Sequence, residues 1–293
     1  IEVDPYGNLV VLCAYTYIDE NDSKIRIMHN LIHVFDQELN LISEHDFYPE
    51  HLSLPWKIRF NTNGELGIMG ARDIGYYRKE FILLDENYNL IYESSIPGNS
   101  ISDFAADGED FIFVGNTYNH NYPGELVNGN ETDNIVSKIS KYQGVVWSKR
   151  IESSLLLDEF RAISKGSDDA FYIVGVFYDE FGKTSQVIKI NSDGYIMDTL
   201  SLRNEGILYV SDIDCDEDVC VVTGGPNGNY LVIDNMIVVE HKTIPLVDNS
   251  GSWTGCFINE ELYFTFVTDN GNDYEIESKT EYSAILVKVE DLE

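Results

Sequence analysis

Residues 158–202 read DEFRAISKGSDDAFYIVGVFYDEFGKTSQVIKINSDGYIMDTLSL, and this stretch decides the fold. It contains short runs rich in β-branched and aromatic residues, EFRAI, FYIVG and VIKI, and the tight turns KGSDD and NSDG. β-Branched and aromatic residues favour strands, whereas Gly, Asn and Asp accept the positive φ that hairpin turns require. The stretch therefore predicts one antiparallel sheet of four short strands.

The same pattern recurs along the chain. Five runs, LVVLC, LGIMG, FIFVG, FYIVG and CVVTG, have a small residue at their fifth position, namely Cys13, Gly70, Gly115, Gly175 and Gly224. A sixth run, LYFTF, departs from this rule with Phe266. The strand after each run ends at Phe35, Leu84, Ile139, Ile190, Ile233 and Val289, which lie 43 to 56 residues apart. Four-stranded units at a period of about 40 to 50 residues are typical of a β-propeller, whereas a β-sandwich would not explain the period.

The sequence thus predicts an all-β protein, a six-bladed β-propeller of four-stranded antiparallel blades that forms a single domain over residues 1–293. The expected blades span about 1–50, 51–98, 99–152, 153–203, 204–245 and 246–293, and the last blade lacks its outer strand within this chain. Unpaired backbone groups on a sheet edge can pair with another strand. A strand from an N-terminal extension of the chain, or from a neighbouring subunit, is therefore expected at blade six; the alternative is that solvent covers the edge.

Residues 158–202 also resemble the β-propeller repeats of secreted and surface proteins of bacteria and archaea. In that repeat an entry strand and a D-G turn precede a strand ending in Gly, then a lysine-containing strand, N-x-D-G and a tryptophan-containing strand. The run SKISKYQGVVWSKRI is similar, with Trp147 at the tryptophan position. The resemblance implies a fold and an extracellular or cell-surface setting, but such repeats share no common activity.

Charge and composition exclude several classes of protein. The chain has 19 basic and 51 acidic side chains, a formal net charge of −32 and 43% hydrophobic residues, so it is a folded acidic protein. Binding to nucleic acid needs a basic surface, and we exclude nucleic acid as a direct partner. No run approaches the roughly 18 to 20 apolar residues that span a bilayer, so membrane insertion is not expected.

The four cysteines suggest two disulfides. Cys215 and Cys220 flank a turn of the fifth unit, and Cys13 and Cys256 lie in the first and last units, which are neighbours if the ring closes. Two disulfides would indicate an oxidising compartment; the alternative is four buried thiols. The sequence contains no C-x-x-C motif and no Cys/His cluster that would predict a metal site. No cofactor is expected. Calcium is the one ion that the acidic turns around Asp214, Asp216 and Asp218 could hold, although none matches a calcium-loop motif.

The candidate binding surface lies on the long loops between the second and third strands. These loops and the starts of the entry strands carry aromatic residues beside Asn and Asp, namely Trp56, Tyr76, Tyr77, Tyr118, Tyr209 and Trp253. Aromatic rings next to amides and carboxylates suit a glycan or a protein surface. Arg59 and Arg161, on entry strands, are candidates for gripping an anion or substrate; the alternative is that they balance local carboxylates.

Catalytic motifs are absent from the sequence. It contains no H-E-x-x-H, P-loop, G-x-S-x-G or G-x-G-x-x-G pattern, and no catalytic residue is assigned. The sequence favours a non-catalytic interaction or ligand-binding propeller, or a structural protein of a surface assembly, with a protein or a glycan as partner. The alternative is an enzyme acting on carbohydrate, a glycoside hydrolase or lyase that uses channel carboxylates such as Asp4, Asp103 and Asp212.

Overall fold

The computed structural model describes residues 1–19, 22–47, 54–73, 76–98, 100–118, 132–151, 159–167, 169–179, 181–205, 207, 209–224, 229–243, 253–258, 261–269 and 282–288. Within these ranges the side chains of residues 14–19, 22–29, 47, 54, 72–73, 76–79, 117–118, 132, 179, 243 and everything from 253 onward are not described. Regular structure in the described ranges is β-strand, apart from a short 3-10 turn at Arg203–Glu205. In this part of the chain no helix has the length and apolar character needed to cross a bilayer.

The chain divides into two compact units, of which the first comprises Ile1–Tyr118 and Ile135–Arg150. It holds three four-stranded sheets, blades 1 to 3, whose strand order follows chain order. Blade 1 consists of β1 (Glu2–Val3), β2 (Leu9–Asp19), β3 (Asp22–Phe35) and β4 (Leu41–Phe47). Blade 2 consists of β5 (Leu54–Phe60), β6 (Leu66–Asp73), β7 (Tyr76–Leu84) and β8 (Leu90–Ser95). Blade 3 consists of β9 (Ser100–Asp107), β10 (Asp110–Tyr118), β11 (Thr132–Ser140) and β12 (Gly144–Ile151).

The second unit comprises Asn119–Asn134 and Ile151–Glu293. Blade 4 consists of β13 (Glu159–Lys165), β14 (Ala170–Asp179), β15 (Gly182–Asn191) and β16 (Ile196–Ser201). Blade 5 consists of β17 (Val210–Asp216), β18 (Val219–Gly224), β19 (Asn229–Asp234) and β20 (Ile237–Thr243). The last sheet has three strands, β21 (Trp253–Ile258), β22 (Glu261–Asp269) and β23 (Tyr282–Lys288).

The fold is an all-β propeller with four-stranded antiparallel blades, but the prediction of six blades is wrong. The described residues form five four-stranded blades, and the residues assigned to a sixth blade form the three-stranded sheet β21–β23. The sequence period came from the second and third strands of each unit. A sheet of three strands has the same two strands, so the period counts it as a blade even though its outer strand is expected to be missing.

Burial within a blade falls from its inner strands to its outer strand. In β18 every residue after Val219 is buried, whereas the outer strand β16 is exposed over most of its length. A strand that is covered on both faces carries a nearly continuous apolar run, and an outer strand that meets solvent does not need one. This difference explains why runs such as FIFVG and CVVTG stood out in the sequence.

Each unit has its own core between neighbouring blades. In the first unit the rings of Phe81, Phe104, Phe111 and Phe113 pack with centroids 5.1 to 5.8 Å apart. In the second unit buried residues of blades 4 and 5 form one cluster around Tyr172, which is 0% exposed. Burial of this apolar area is the main source of stability.

Short hairpin turns repeat one hydrogen-bonding pattern. Its first residue, an Asp or Asn, accepts a hydrogen bond through its side-chain oxygen from the backbone N–H four residues later, at 2.8 to 3.0 Å. The first residues are Asp4, Asp36, Asn61, Asp85 and Asn191. The fourth residue of each turn has a left-handed backbone, with φ of 63° to 82°, and is Gly7, Leu39, Gly64, Tyr88 or Gly194. The turns are thus fixed by their own side chains.

Side-chain hydrogen bonds also join blades 4 and 5 within the second unit. The Asp218 carboxylate, on the turn between β17 and β18, accepts hydrogen bonds from the Ser167 and Tyr172 hydroxyls, both at 2.6 Å. The Lys189 ammonium lies 3.2 Å from the same carboxylate. These bonds hold the pKa of Asp218 below its usual range, the Ser167 hydroxyl contributing most. Three residues of blade 4 therefore converge on one charge of blade 5.

Candidate functional site

The entry strands of blades 2 to 5 each contain a register shift at the same point, opposite the small residue that ends the second-strand run. In each case the glycine pairs with the entry-strand residue just before the shift: Gly70 with Pro55, Gly115 with Ile101, Gly175 with Phe160 and Gly224 with Val210. One entry-strand residue is skipped in each case, and these bulged residues are Trp56, Ser102, Arg161 and Ser211. A β-bulge turns one extra side chain out of the ladder and often lies next to a functional site.

The glycines at these positions allow the bulge. A Cβ atom on Gly224 would lie 2.0 Å from the Tyr209 carbonyl oxygen, and one on Gly115 would lie 2.2 Å from the Ser100 carbonyl oxygen. The backbone of the entry strand therefore approaches the second strand too closely for any side chain. The run with Phe266 has no such shift, because Trp253 pairs with it directly. In blades 2 to 5, the glycine at the fifth position of the run therefore indicates a bulge in the neighbouring entry strand.

Two of the bulged residues, Trp56 and Arg161, are among the predicted site residues. The Trp56 side chain is 39% exposed in the first unit. Arg161, in the second unit, forms an ion pair with Glu159 at 2.6 Å, and both side chains are 40% exposed. Arg161 thus has a local carboxylate as its partner, in agreement with the alternative given above for this arginine. The ion pair nevertheless lies at the surface, where a ligand can reach it.

Three cations and two exposed rings of the second unit form contacts at the β14–β15 hairpin, the 3-10 turn and the start of β17. Tyr209 is 54% exposed, and the Lys183 Nζ lies 2.9 Å from the centroid of its ring. Phe181 is 78% exposed, with the Arg203 guanidinium 5.6 Å from its ring centroid. We call Arg161, Phe181, Lys183, Arg203 and Tyr209 the cation–aromatic surface.

The charges on this surface act on the tyrosine. A hydrogen bond from Lys183 and the charge of that lysine lower the pKa of the Tyr209 phenol, and the charge of Arg161 adds a smaller contribution. The positive potential that lowers this pKa would also attract an anionic ligand. These cations lie in a chain whose formal net charge is −32.

Local structure places these side chains. The β14–β15 hairpin closes with Asp179 opposite Gly182, so Phe181 lies at its tip, and Lys183 follows opposite Tyr178. Gly182 has a φ of 104°, which only glycine adopts without strain. The 3-10 turn that carries Arg203 begins after Leu202, whose backbone N–H donates to the Ser185 carbonyl oxygen at 2.9 Å. The β14–β15 hairpin and the 3-10 turn thus carry three of the five residues of the cation–aromatic surface.

In the first unit, Arg59 belongs to a buried charge network. Its guanidinium lies 3.0 Å from the Glu2 carboxylate and 3.9 Å from that of Asp103. The Asp103 side chain is 0% exposed and also lies 3.2 Å from the Lys57 ammonium. The buried charge of Asp103 is neutralised by two cations, so Arg59 balances local carboxylates.

The carboxylates proposed for an enzyme have separate surroundings. Asp4 lies in the first turn, where it accepts hydrogen bonds from the backbone of Tyr6 and Asn8 at 2.9 and 2.8 Å. Asp103 lies in the charge network of β9, and Asp212, in the second unit, is 8% exposed. The described contacts of Asp4 and Asp103 involve different residues of the first unit.

The predicted disulfide Cys215–Cys220 is confirmed. The two residues lie directly opposite each other on β17 and β18, with Cα atoms 4.0 Å apart. Cys13 is a free cysteine, which does not support its predicted pairing with Cys256, and the Cys256 side chain lies outside the described residues. One of the two expected disulfides is therefore present in the structure.

The remaining predicted site residues lie outside the described side chains, namely Tyr76, Tyr77, Tyr118 and Trp253. Sequence reasoning missed Phe181, Lys183 and Arg203. The run DEFGK held a usable signal for two of them, because its glycine between two strand-like runs favours a turn. Among the described side chains, no three His, Cys, Asp or Glu residues lie close enough together to hold a metal ion.

The geometry defines a β-propeller protein, and comparisons with known proteins support this class. No family model matches the chain, and no curated protein matches it. Among solved structures it is similar to the acylaminoacyl peptidase of Pyrococcus horikoshii, with a TM-score of 0.56 and 10% identity over 92% of this chain and 42% of that one. The chain thus spans less than half the length of that peptidase.

A second similar structure is the β-propeller domain of the trilobed protease from Pyrococcus furiosus, which has an open velcro topology. The TM-score is 0.52 and the identity 13%, over 88% of this chain and 75% of that one. A luciferin-regenerating enzyme has a TM-score of 0.50 and 12% identity over 90% of this chain and 87% of its own. At such low identity the likeness shows the propeller fold alone.

Proposed function

We propose that this protein is a non-catalytic binding module that takes an acidic glycan on the cation–aromatic surface of its second unit. The observation that carries the proposal is the exposed Tyr209 in contact with Lys183, with the charge of the bulged Arg161 acting on the same phenol. An exposed ring stacks against the flat face of a sugar, and lysine and arginine bind its carboxylates through charge-assisted hydrogen bonds.

The charge distribution supports an anionic ligand. The chain has only 19 basic residues, and three of them, Arg161, Lys183 and Arg203, lie on this surface. The surrounding acidic surface repels polyanions, so a short acidic sugar fits better than a long polymer of high charge density. The module needs no cofactor in this proposal, and calcium remains an ion to be tested.

The setting proposed for this function is outside the cytoplasm. The Cys215–Cys220 disulfide supports an oxidising compartment, where such bonds form and persist. Similar propellers occur in peptidases as well as in other proteins, so the fold leaves an enzyme open as an alternative. No observation on the described carboxylates favours that alternative over binding.

Isothermal titration calorimetry with a uronic-acid oligosaccharide tests the proposal, and the neutral oligosaccharide of the same backbone is the reference ligand. We expect the acidic sugar to bind and Tyr209→Ala to weaken binding about 5- to 10-fold, the size of one lost ring contact. Tyr195→Ala is the matched control, because Tyr195 is 64% exposed on a short turn of blade 4.

Equal affinity for the acidic and the neutral sugar, or equal effects of the two alanine variants, would contradict the proposal. Copurification of a protein whose binding is abolished by Tyr209→Ala would show that the same surface takes a protein partner instead. Turnover of the oligosaccharide during the titration would identify the protein as an enzyme.

A further inference from the structure

A second candidate site lies in the first unit. A cavity of about 150 Å³ opens between the β1–β2 turn, the β5–β6 turn and the β7–β8 turn. Three aromatic residues, Tyr6, Phe60 and Tyr88, line it together with three carboxylates, those of Asp4, Asp85 and Glu86. The cavity has room for a group of several heavy atoms.

The rings of Tyr6 and Tyr88 differ in their exposure to solvent. Tyr6 is 76% exposed, so its ring is open to a ligand. Tyr88 is partly buried and fixed, because its ring lies 4.2 Å from that of His45 at an interplanar angle of 32°. A fixed ring and an accessible ring on one cavity form part of an aromatic cage, the arrangement that binds quaternary and methylated ammonium groups.

The charged side chains that line the cavity are all acidic. The described residues that line it include no lysine or arginine, whereas three of them are carboxylates. Asp85 accepts its hydrogen bonds from Asn87 and Asn89 of its own turn, which are uncharged donors, so its negative charge is not neutralised by them. Burial raises the pKa of Tyr88, and the charge of Asp4 adds a smaller contribution.

From this cavity we infer that the first unit binds an organic ammonium cation, with the ammonium group against Tyr6, Phe60 and Tyr88 and the carboxylate of Glu86 nearby. An organic ammonium group is both apolar and cationic, so it suits the aromatic rings as well as the carboxylates. A hard metal ion would bind the carboxylate oxygens and not the rings. The group could belong to a free amine or to the methylated lysine of a peptide, and both present the same chemistry to the cavity.

The test is a titration of the full chain with tetramethylammonium chloride, followed by NMR of the tyrosine ring signals and compared with sodium chloride at the same ionic strength. We expect saturable shifts of the Tyr6 and Tyr88 signals with tetramethylammonium alone. Tyr6→Ala should weaken binding about 2- to 5-fold, as expected for one exposed cation–π contact. Glu86→Gln should weaken it by a similar factor that shrinks as salt is added.

Two matched controls separate a site from the general attraction of cations to an acidic protein. Tyr142→Ala removes a tyrosine that is 73% exposed on another turn of the same unit, and Glu109→Gln removes an exposed carboxylate outside the cavity. Both should leave the affinity unchanged. Equal shifts with sodium chloride, or equal losses in Glu86→Gln and Glu109→Gln, would overturn the inference.

The source of the cation is read from a second titration with a short peptide that carries trimethyllysine. Displacement of tetramethylammonium by this peptide, but not by its unmethylated form, would assign the cavity to a modified protein side chain. Binding of tetramethylammonium without displacement by the peptide would assign it to a small amine. Either result leaves the glycan proposal untouched, because that proposal rests on the second unit.

Discussion

Replacement of Asp218 by alanine should weaken the junction between blades 4 and 5. The variant removes the acceptor for two hydroxyls, those of Ser167 and Tyr172, and the partner of Lys189. A hydrogen bond to a charged acceptor contributes about 1.5 kcal/mol at the lower end of its range. The lysine pair is partly exposed and adds only about 0.5 to 1 kcal/mol.

The sum is a loss of about 3.5 to 4 kcal/mol in the free energy of unfolding. For a chain of this size a change of 1 kcal/mol moves the Tm by about 2 °C, so thermal unfolding followed by circular dichroism should show a Tm lower by about 7 to 8 °C. Asp216→Ala is the matched control, because Asp216 is an exposed acid on the same hairpin. Its Tm should stay within about 1 °C of wild type, as for most surface substitutions.

The pH dependence has a defined sign. Hydrogen bonds from Ser167 and Tyr172 lower the pKa of Asp218 from its ordinary value of 3.8. A carboxylate with a lowered pKa stabilises the folded state above its unfolded pKa, and this contribution is lost as the pH falls through the folded pKa. The difference in Tm between wild type and Asp218→Ala should therefore be constant near neutral pH and shrink below about pH 4.

A double-mutant cycle with Tyr172→Phe completes the test. The single variant Tyr172→Phe should cost about 1.5 kcal/mol, and the cost should nearly vanish when Asp218 is already alanine. Additive costs in the cycle, or a Tm of Asp218→Ala within about 2 °C of wild type, would refute the reasoning.

Three further results are expected. Reduction of the Cys215–Cys220 disulfide, or its replacement by two serines, should lower the Tm by several degrees, and an unchanged Tm on reduction would show that the hairpin holds without it. Gly224→Ala should destabilise the protein by more than about 2 kcal/mol in urea titrations, because the new Cβ would lie 2.0 Å from a carbonyl oxygen; a smaller loss would mean that the bulge can relax. The pKa of Tyr209, followed by ultraviolet absorbance, should lie below 10.0 and rise in Lys183→Met, and no change in that variant would place the cause elsewhere.

Much of the fold follows from the sequence because its signals are local. Runs such as FYIVG and turns such as NSDG specify strands and hairpins through residues a few positions apart, and four-stranded blades resulted. The number of blades did not follow, because the spacing of the second and third strands is of the same size in the three-stranded sheet β21–β23 and in a full blade. Periodicity in sequence therefore counts both as one unit.

The candidate site was predictable only in part. Arg161 and Tyr209 could be placed near entry strands, since strand order follows chain order in each blade. Lys183 and Arg203 come from a hairpin tip and a 3-10 turn, and their approach to aromatic rings depends on packing between side chains. The disulfide was predictable because its cysteines are five positions apart across a single hairpin.

The repeated Asp and Asn turns have a consequence for the order of folding. Each turn closes with bonds between residues no more than four positions apart, as between Asp36 and Asn40 or between Asp85 and Asn89. Loops this short close within about 10 to 100 ns, and hairpins form within about 1 to 10 μs. The hairpins can therefore form early and separately, and the slow step of folding is the assembly of finished hairpins into blades, whose contacts are far apart in sequence.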